Sequence, residues 1–189
     1  MNLPTFPEFI WEDDCFWVTS ARLPDWTGYQ IRNGPYGAVS ETGVSDGTVK
    51  LLFAPEGRED GPLTEEEIRL VRWVVDNQAA VHDAMLHRLL EHYPGLRDEF
   101  LDYFIDEDMA KQCLPEVKTP AELKALLGIV SINVHQIQDA EPYIGVELGC
   151  TWDDEHGVGV LLHGARPLEV GGADTAILLW MAEKYAKES

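Results

Sequence analysis

Asp153-Asp154-Glu155-His156 is the densest run of residues able to do chemistry in the chain. Carboxylates beside an imidazole can hold a divalent metal or pass a proton. Four consecutive residues cannot all point one way, so a working site needs a second segment. Glu147, His135, His163 and Asp174 are the available partners. On this reading Asp153, Glu155 and His156 are the candidate catalytic groups, and His135, His156, His163 and Asp174 the candidate metal ligands. The structural alternative is a polar turn that Gly157 permits, and it is favoured, since the spacing matches no standard ligand pattern.

Other segments offer less. His82 falls in the apolar stripe of a helix, where a core histidine is commoner than a ligand. Zinc-protease spacing is absent, and no serine nucleophile elbow is expected. Gly171-Gly172-Ala173-Asp174 could cradle an anion before a helix. It lacks a lysine, and Asp174 would put negative charge where the anion sits, so a tight turn with Asp174 as helix cap is expected. No cofactor-binding motif is read; a divalent metal is the one group the acidic run suggests.

Charge sets the class of partner. Thirty-four acids oppose fourteen bases, a formal charge of -20 over 189 residues. Such a surface repels phosphate backbones and anionic membranes, and it favours cations or a basic protein. Acids cluster at Glu12–Asp14, Glu59-Asp60, Glu65–Glu67, Asp106–Asp108 and Asp153–Glu155, all in expected turns or helix ends. If two or more clusters converge, they would steer a basic partner. Asp153, Asp154 and Glu155, with Trp152 or Trp26 as aromatic anchor, form the expected interface. Cys15, Cys113 and Cys150 are odd in number and widely spaced, which points to free thiols in a reducing compartment. No signal peptide is read at the start, and the longest apolar run is far below the ~20 residues that span a bilayer. A cytoplasmic location is expected.

The elements that must position these groups are read as one α+β domain over residues 1–189. Residues 1–55 read as a β-rich segment, 63–128 as helical, and 129–189 as a β-meander with a terminal helix. Aromatic and β-branched residues at 9–11 and 16–18 predict strands around an acidic turn. Asn33-Gly34-Pro35 predicts a turn, and Asp46-Gly47 predicts a hairpin joining Ala38–Val44 to Thr48–Ala54. Thr64 and Glu67 form a capping box that opens an apolar stripe through Ile68, Val71, Val75, Ala79, His82, Leu86, Leu89 and Tyr93. Pro94-Gly95 should end it, with a second helix over 96–105. Thr119-Pro120 should open a third, stopped by Gly128. Beyond it, Val130, Ile132 and Val134, then Ile144, Val146 and Leu148, then Val158, Val160 and Leu162 recur with period two. They predict an antiparallel sheet covered by the long helix and the terminal helix.

The stretch Glu147 to Val160, with its Gly-Cys-Thr-Trp-Asp-Asp-Glu-His-Gly-Val-Gly core, and the later Gly171-Gly172-Ala173-Asp174 resemble a bacterial family of domains of unknown function. Some members of that family look like immunity or accessory proteins of conflict systems. The resemblance carries no activity and assigns no role to Trp152, Asp153, Glu155, His156 or Asp174. Two functional readings follow. The first is a non-enzymatic binding protein, immunity-type, that neutralises a basic partner. The alternative is a metal-dependent or acid–base, hydrolase-like enzyme built on Asp153, Glu155 and His156.

Overall fold

The computed structural model describes residues 8–13, 15–55, 61–104 and 106–188. Asp14, Glu59 and Asp60 of the acidic clusters, and Ile105, lie outside them. The architecture is α+β. Seven strands form one sheet in sequential order: β1 (Ile10–Glu12), β2 (Phe16–Asn33), β3 (Val39–Phe53), β4 (Leu127–Val134), β5 (Tyr143–Cys150), β6 (Val158–His163) and β7 (Arg166–Gly171). Helices α1 (Glu65–Asp76), α2 (Gln78–Leu101), α3 (Glu107–Cys113) and α4 (Pro120–Lys124) connect β3 to β4. The short α5 (Asp174–Ile177) and α6 (Leu179–Glu188) follow β7. No helix among the described residues is long and apolar enough to cross a membrane.

The sheet is mixed rather than wholly antiparallel. The N-terminal strands join the C-terminal ones through a parallel pairing of Leu51, Leu52 and Phe53 with Ile132, Asn133 and Val134. A parallel pair requires a crossover, and α1 to α4 provide it. Period two holds well in β5 and β6: Ile144, Val146 and Leu148 pair with Leu162, Val160 and Val158. These residues share one core with Leu70, Val71 and Val74 of α1 and with Val81, Met85, Leu86, Leu89 and Tyr93 of α2. Val130 leaves the expected face, because a bulge between Ile129 and Ser131 shifts the register of β4.

Four expectations are corrected. Asp46-Gly47 is no hairpin turn: β3 runs straight through it, and the turn falls at Pro35–Gly37. β2 bulges between Arg22 and Thr27, and Gly47, at φ 87°, passes the Leu23 carbonyl at a point where a Cβ would lie 2.5 Å from its oxygen. The glycine serves a close strand crossing. Secondly, the long apolar stripe is two helices, broken at Asn77 (φ -111°, ψ 17°), whose side-chain amide donates to the Trp73 carbonyl.

Thirdly, α2 continues through Pro94. Its last turns are held by the Tyr93 hydroxyl on the Pro115 carbonyl (2.8 Å) and Arg97 Nε on the Leu114 carbonyl (3.0 Å), which offset the hydrogen bond that proline cannot make. Fourthly, α4 ends at Lys124, and Gly128 lies inside β4, under the side chain of Arg32. The capping boxes of Thr64 and Thr119 are both present.

The opposite face of the sheet is half covered. Over β5 and β6, α5 presses its backbone onto Gly145 and Gly159, and Tyr143, Leu161 and Ala182 form a second small core. Over β2, β3 and the start of β4 the described residues leave that face open as a cleft.

Candidate functional site

The Trp152–Gly157 segment is a turn that organises itself. Asp153 Oδ1 accepts the backbone N–H of Glu155 (3.2 Å) and of His156 (3.0 Å), and His156 Nδ1 lies 3.2 Å from the same oxygen. The Asp153 carbonyl accepts from Gly157 N (3.3 Å) and from the buried Cys150 thiol (3.3 Å). Burial pushes the Cys150 thiol up to about 12, so it stays protonated and inert. Gly157 adopts φ 62°, and a Cβ there would sit 2.7 Å from the Leu148 carbonyl oxygen. The motif therefore uses its carboxylate and its glycine to close the β5–β6 connection.

The partners proposed for it do not converge. Tyr143 pairs with His163 at one end of β5, and Leu148 pairs with Val158 near the other. Five residues of strand separate those pairs, roughly 17 Å. His135 follows β4 at the far end, buried beneath α5. Burial pushes its imidazole down to about 4, against a backbone hydrogen bond with Ala176 that raises it. His163 stacks on Tyr143 (4.3 Å between centroids, 8° between planes), with Nε2 3.3 Å from Asp139 Oδ2. Asp174 comes near the motif, since Ala173 N donates to the His156 carbonyl (3.2 Å). It is the first residue of α5 rather than its cap, and Ala173 stands at the cap position with no side-chain bond. The terminal helix expected to follow Asp174 is split by Leu178 (φ -80°, ψ 115°). Among the described residues no group of three or more His, Cys, Asp and Glu is placed to hold a metal.

The tryptophan anchors are also inside. Trp26 is fully buried, donates Nε1–H to the Gln78 carbonyl (3.1 Å) and packs edge-on against His82. Trp152 is 5% exposed and meets Tyr93 edge-on at 5.4 Å. Asp154 and Glu155 are exposed. His82 is a core histidine, as its place in the stripe implies, with its pKa lowered chiefly by burial.

Asp153→Ala should lower stability by about 1–2 kcal/mol, the range for losing a carboxylate that accepts two N–H groups of an exposed turn. His156→Ala should lower it by less than about 1 kcal/mol, because that ring is 73% exposed. Chemical denaturation of the two variants checks the order; equal losses would mean that the imidazole fixes the turn.

A different site emerges on the open half of the sheet. Where β3 and β4 part beyond their three-residue pairing, an open cleft of about 600 Å³ forms, within the range of small-ligand sites. Its apolar wall includes Phe16, Val18, Leu52 and Ile129, and its acids are Glu12, Asp13, Asp46 and Glu147. The tip of the β2–β3 ribbon is pinned back over β4 and β5. Arg32 lies across the paired glycines Gly128 and Gly149, donates to the carbonyls of Gly37 (2.6 Å) and Ala38 (3.3 Å), and reaches Gln30 Oε1 (3.1 Å). Gln30 Nε2 donates to the Ala125 carbonyl (2.8 Å).

Glu147 is the buried acid among the described residues of this cleft, 8% exposed. It pairs across β4–β5 with Ser131, whose hydroxyl donates to Oε2 at 2.8 Å and accepts from Asn133 Nδ2 at 3.1 Å. Burial pushes its carboxyl up, with the Ser131 bond opposing.

Sequence reasoning named Glu147 only as a possible helper of the motif turn. The signal for its own site was the polar set Ser131, Asn133 and Glu147 on one face of neighbouring strands. Gly43-Val44-Ser45-Asp46-Gly47 does have the Gly-x-Ser-x-Gly spacing, against the expectation of no such elbow. The segment lies within β3, not at a strand-to-helix elbow. Ser45 Oγ accepts the Gly47 N–H (3.1 Å), and no histidine lines the cleft.

No curated protein and no solved structure matches the chain. A family model for a domain of unknown function, DUF6985, matches residues 28–178, from the bulged part of β2 through α5. That span includes the motif turn, Glu147 and the ribbon tip over β4, and the chain belongs to this family.

Proposed function

We propose that the chain is a non-enzymatic, acidic binding protein that engages a basic protein partner, in the manner of an immunity-type protein. One observation carries the reading: among the described residues, the cleft where β3 and β4 part is lined by four carboxylates and two cations, and both cations are engaged within the protein. Lys50 Nζ lies 3.9 Å from Glu12 Oε2, and Arg32 is spent on carbonyls of the ribbon tip. A chain of charge -20 adds a long-range field of the same sign. Glu12 and Asp13 belong to the first of the acidic clusters, and Asp46 lines the same cleft further along the ribbon, so acids distant in sequence share one surface. Complementary charge of this kind raises the association rate more than it lengthens residence.

The expected result is capture of a basic protein from native cell extract at low salt, with release as salt rises, since exposed charges are screened over ~8 Å at physiological ionic strength. Reversing Glu12 and Asp46 to lysine should abolish capture, whereas reversing the exposed Glu107 and Asp108 on α3 should not. Equal capture by both double variants, or capture indifferent to salt, would remove the reading.

A further inference from the structure

We propose that the cleft is a recognition site for one arginine side chain of the basic partner, whose guanidinium reaches Glu147 Oε1. The inference rests on the binding reading above and assigns the residue that does the recognising. Glu147 Oε2 takes the Ser131 hydroxyl, while Oε1 receives no hydrogen bond from the described residues. Oε1 is not sealed from solvent and lies in the lining of the cleft, so the carboxylate offers an incoming cation a free acceptor at the cleft floor.

The walls suit the stem of the same side chain. Val18 and Leu52 face each other across β2–β3, on the side of the sheet that also carries Ser131 and Glu147, with Phe16 and Ile129 beside them. Three methylenes can pack there while the head group goes to the floor. Arginine fits better than lysine. A guanidinium is more weakly hydrated than an ammonium, so it loses less on leaving bulk water for an acceptor at the cleft floor, and its planar fork can meet Glu147 while keeping donors for neighbouring acceptors. Glu12, Asp13 and Asp46 at the exposed rim supply attraction during approach.

The test titrates the full chain, at low salt, with N-acetyl-arginine methylamide and with its lysine, citrulline and norleucine counterparts, followed by NMR chemical shifts. Citrulline keeps the shape of arginine without the charge. The expected result is saturable arginine binding in the millimolar range, with shifts at Ser131, Glu147 and Leu52. Citrulline and norleucine should bind at least tenfold more weakly, and lysine measurably more weakly. Glu147→Gln should weaken arginine binding at least tenfold, and Glu91→Gln on the exposed side of α2 should leave it unchanged.

Glu147→Gln should also fold. The carboxyl has a higher pKa folded than unfolded, so stability falls as pH rises from the ordinary glutamate range through the raised value, and the amide removes that loss while still accepting from Ser131. Its melting temperature at pH 7 should therefore equal or exceed that of the unaltered protein. If the variant is unfolded, transfer of magnetisation between the bound arginine methylenes and the methyls of Val18 and Leu52 in the unaltered protein decides the matter. Absence of saturation, equal binding of citrulline or lysine, or undiminished binding by folded Glu147→Gln would overturn the proposal.

Failure here and failure of the partner reading are distinct. A basic protein captured in a salt-sensitive manner, but held equally by Glu147→Gln, leaves the reading standing and removes the arginine site. Arginine binding lost in Glu147→Gln, with no basic protein captured, keeps the site and removes the reading.

Discussion

Replacing Gly145 with alanine should destabilise the protein by about 3 kcal/mol or more, the upper end of overpacking costs in a close-packed interior. A Cβ on Gly145 would run into the Ala176 carbonyl oxygen and lie 2.5 Å from the Ala176 carbonyl carbon. Neither side has room to yield. Gly145 is paired with Asn133 on one edge and Leu161 on the other, so β5 cannot step back without breaking two ladders. The atoms opposite are helix backbone, with no flexible side chain to swing away, and Ala176 is fully buried. The remaining response is for α5 to lift from the sheet, which uncovers Gly159, Leu161 and His135 together. Gly95 is the internal control. It sits at an exposed position of α2 with nothing within 4 Å of an added Cβ, so Gly95→Ala should raise stability by roughly 0.5–1 kcal/mol through helix propensity. Denaturant midpoints of the two variants should move in opposite directions, and movement in the same direction would contradict the packing seen at α5.

The contrast between those glycines shows what the sequence makes legible. Strands β5 and β6 pair with their chain neighbours, so the two-residue period of Ile144–Leu148 and Val158–Leu162 reports their core face directly. The other face reads as polar and open, because glycines at 145 and 159 look like gaps in a pattern. They are contact points, where a helix backbone approaches too closely for any side chain.

The ribbon of β2 and β3 was illegible for a related reason. Leu23, Trp26 and Tyr29 are buried at spacings of three, since bulges between Arg22 and Gln30 restart the alternation. A turn signal at Asp46-Gly47 then marks a strand crossing instead of a chain reversal. The cleft depends on that ribbon leaving β4 after three residue pairs, a tertiary event with no local signature. Its floor residue shows in the sequence only as a polar position that shares a strand face with Ser131 and Asn133, with nothing to mark a cleft above it.

Removing Trp152 should cost about 3–5 kcal/mol, the range for an aromatic side chain cut to alanine in a core. The residue closes the principal core between β5 and α2, edge-on to Tyr93, and the Tyr93 hydroxyl in turn holds the Pro115 carbonyl at 2.8 Å. Trp152→Ala therefore opens a cavity and loosens the tie between the proline-containing part of α2 and the segment after α3. Trp152→Phe keeps a ring against Tyr93 and should cost less, about 1–2 kcal/mol. The pair separates two roles for the motif that begins at this tryptophan. If the motif is framework, Trp152→Ala loses stability heavily, and any loss of partner capture follows the unfolded fraction. If the tryptophan is a contact residue, Trp152→Ala keeps its melting temperature and loses capture at a temperature where it is fully folded. With the ring 5% exposed, the first outcome is the expected one. Capture by Trp152→Phe, measured well below its melting point, should then match that of the unaltered protein, because the described acids that line the cleft belong to β5, to the ribbon, to β1 and to the β1–β2 turn and not to this connection.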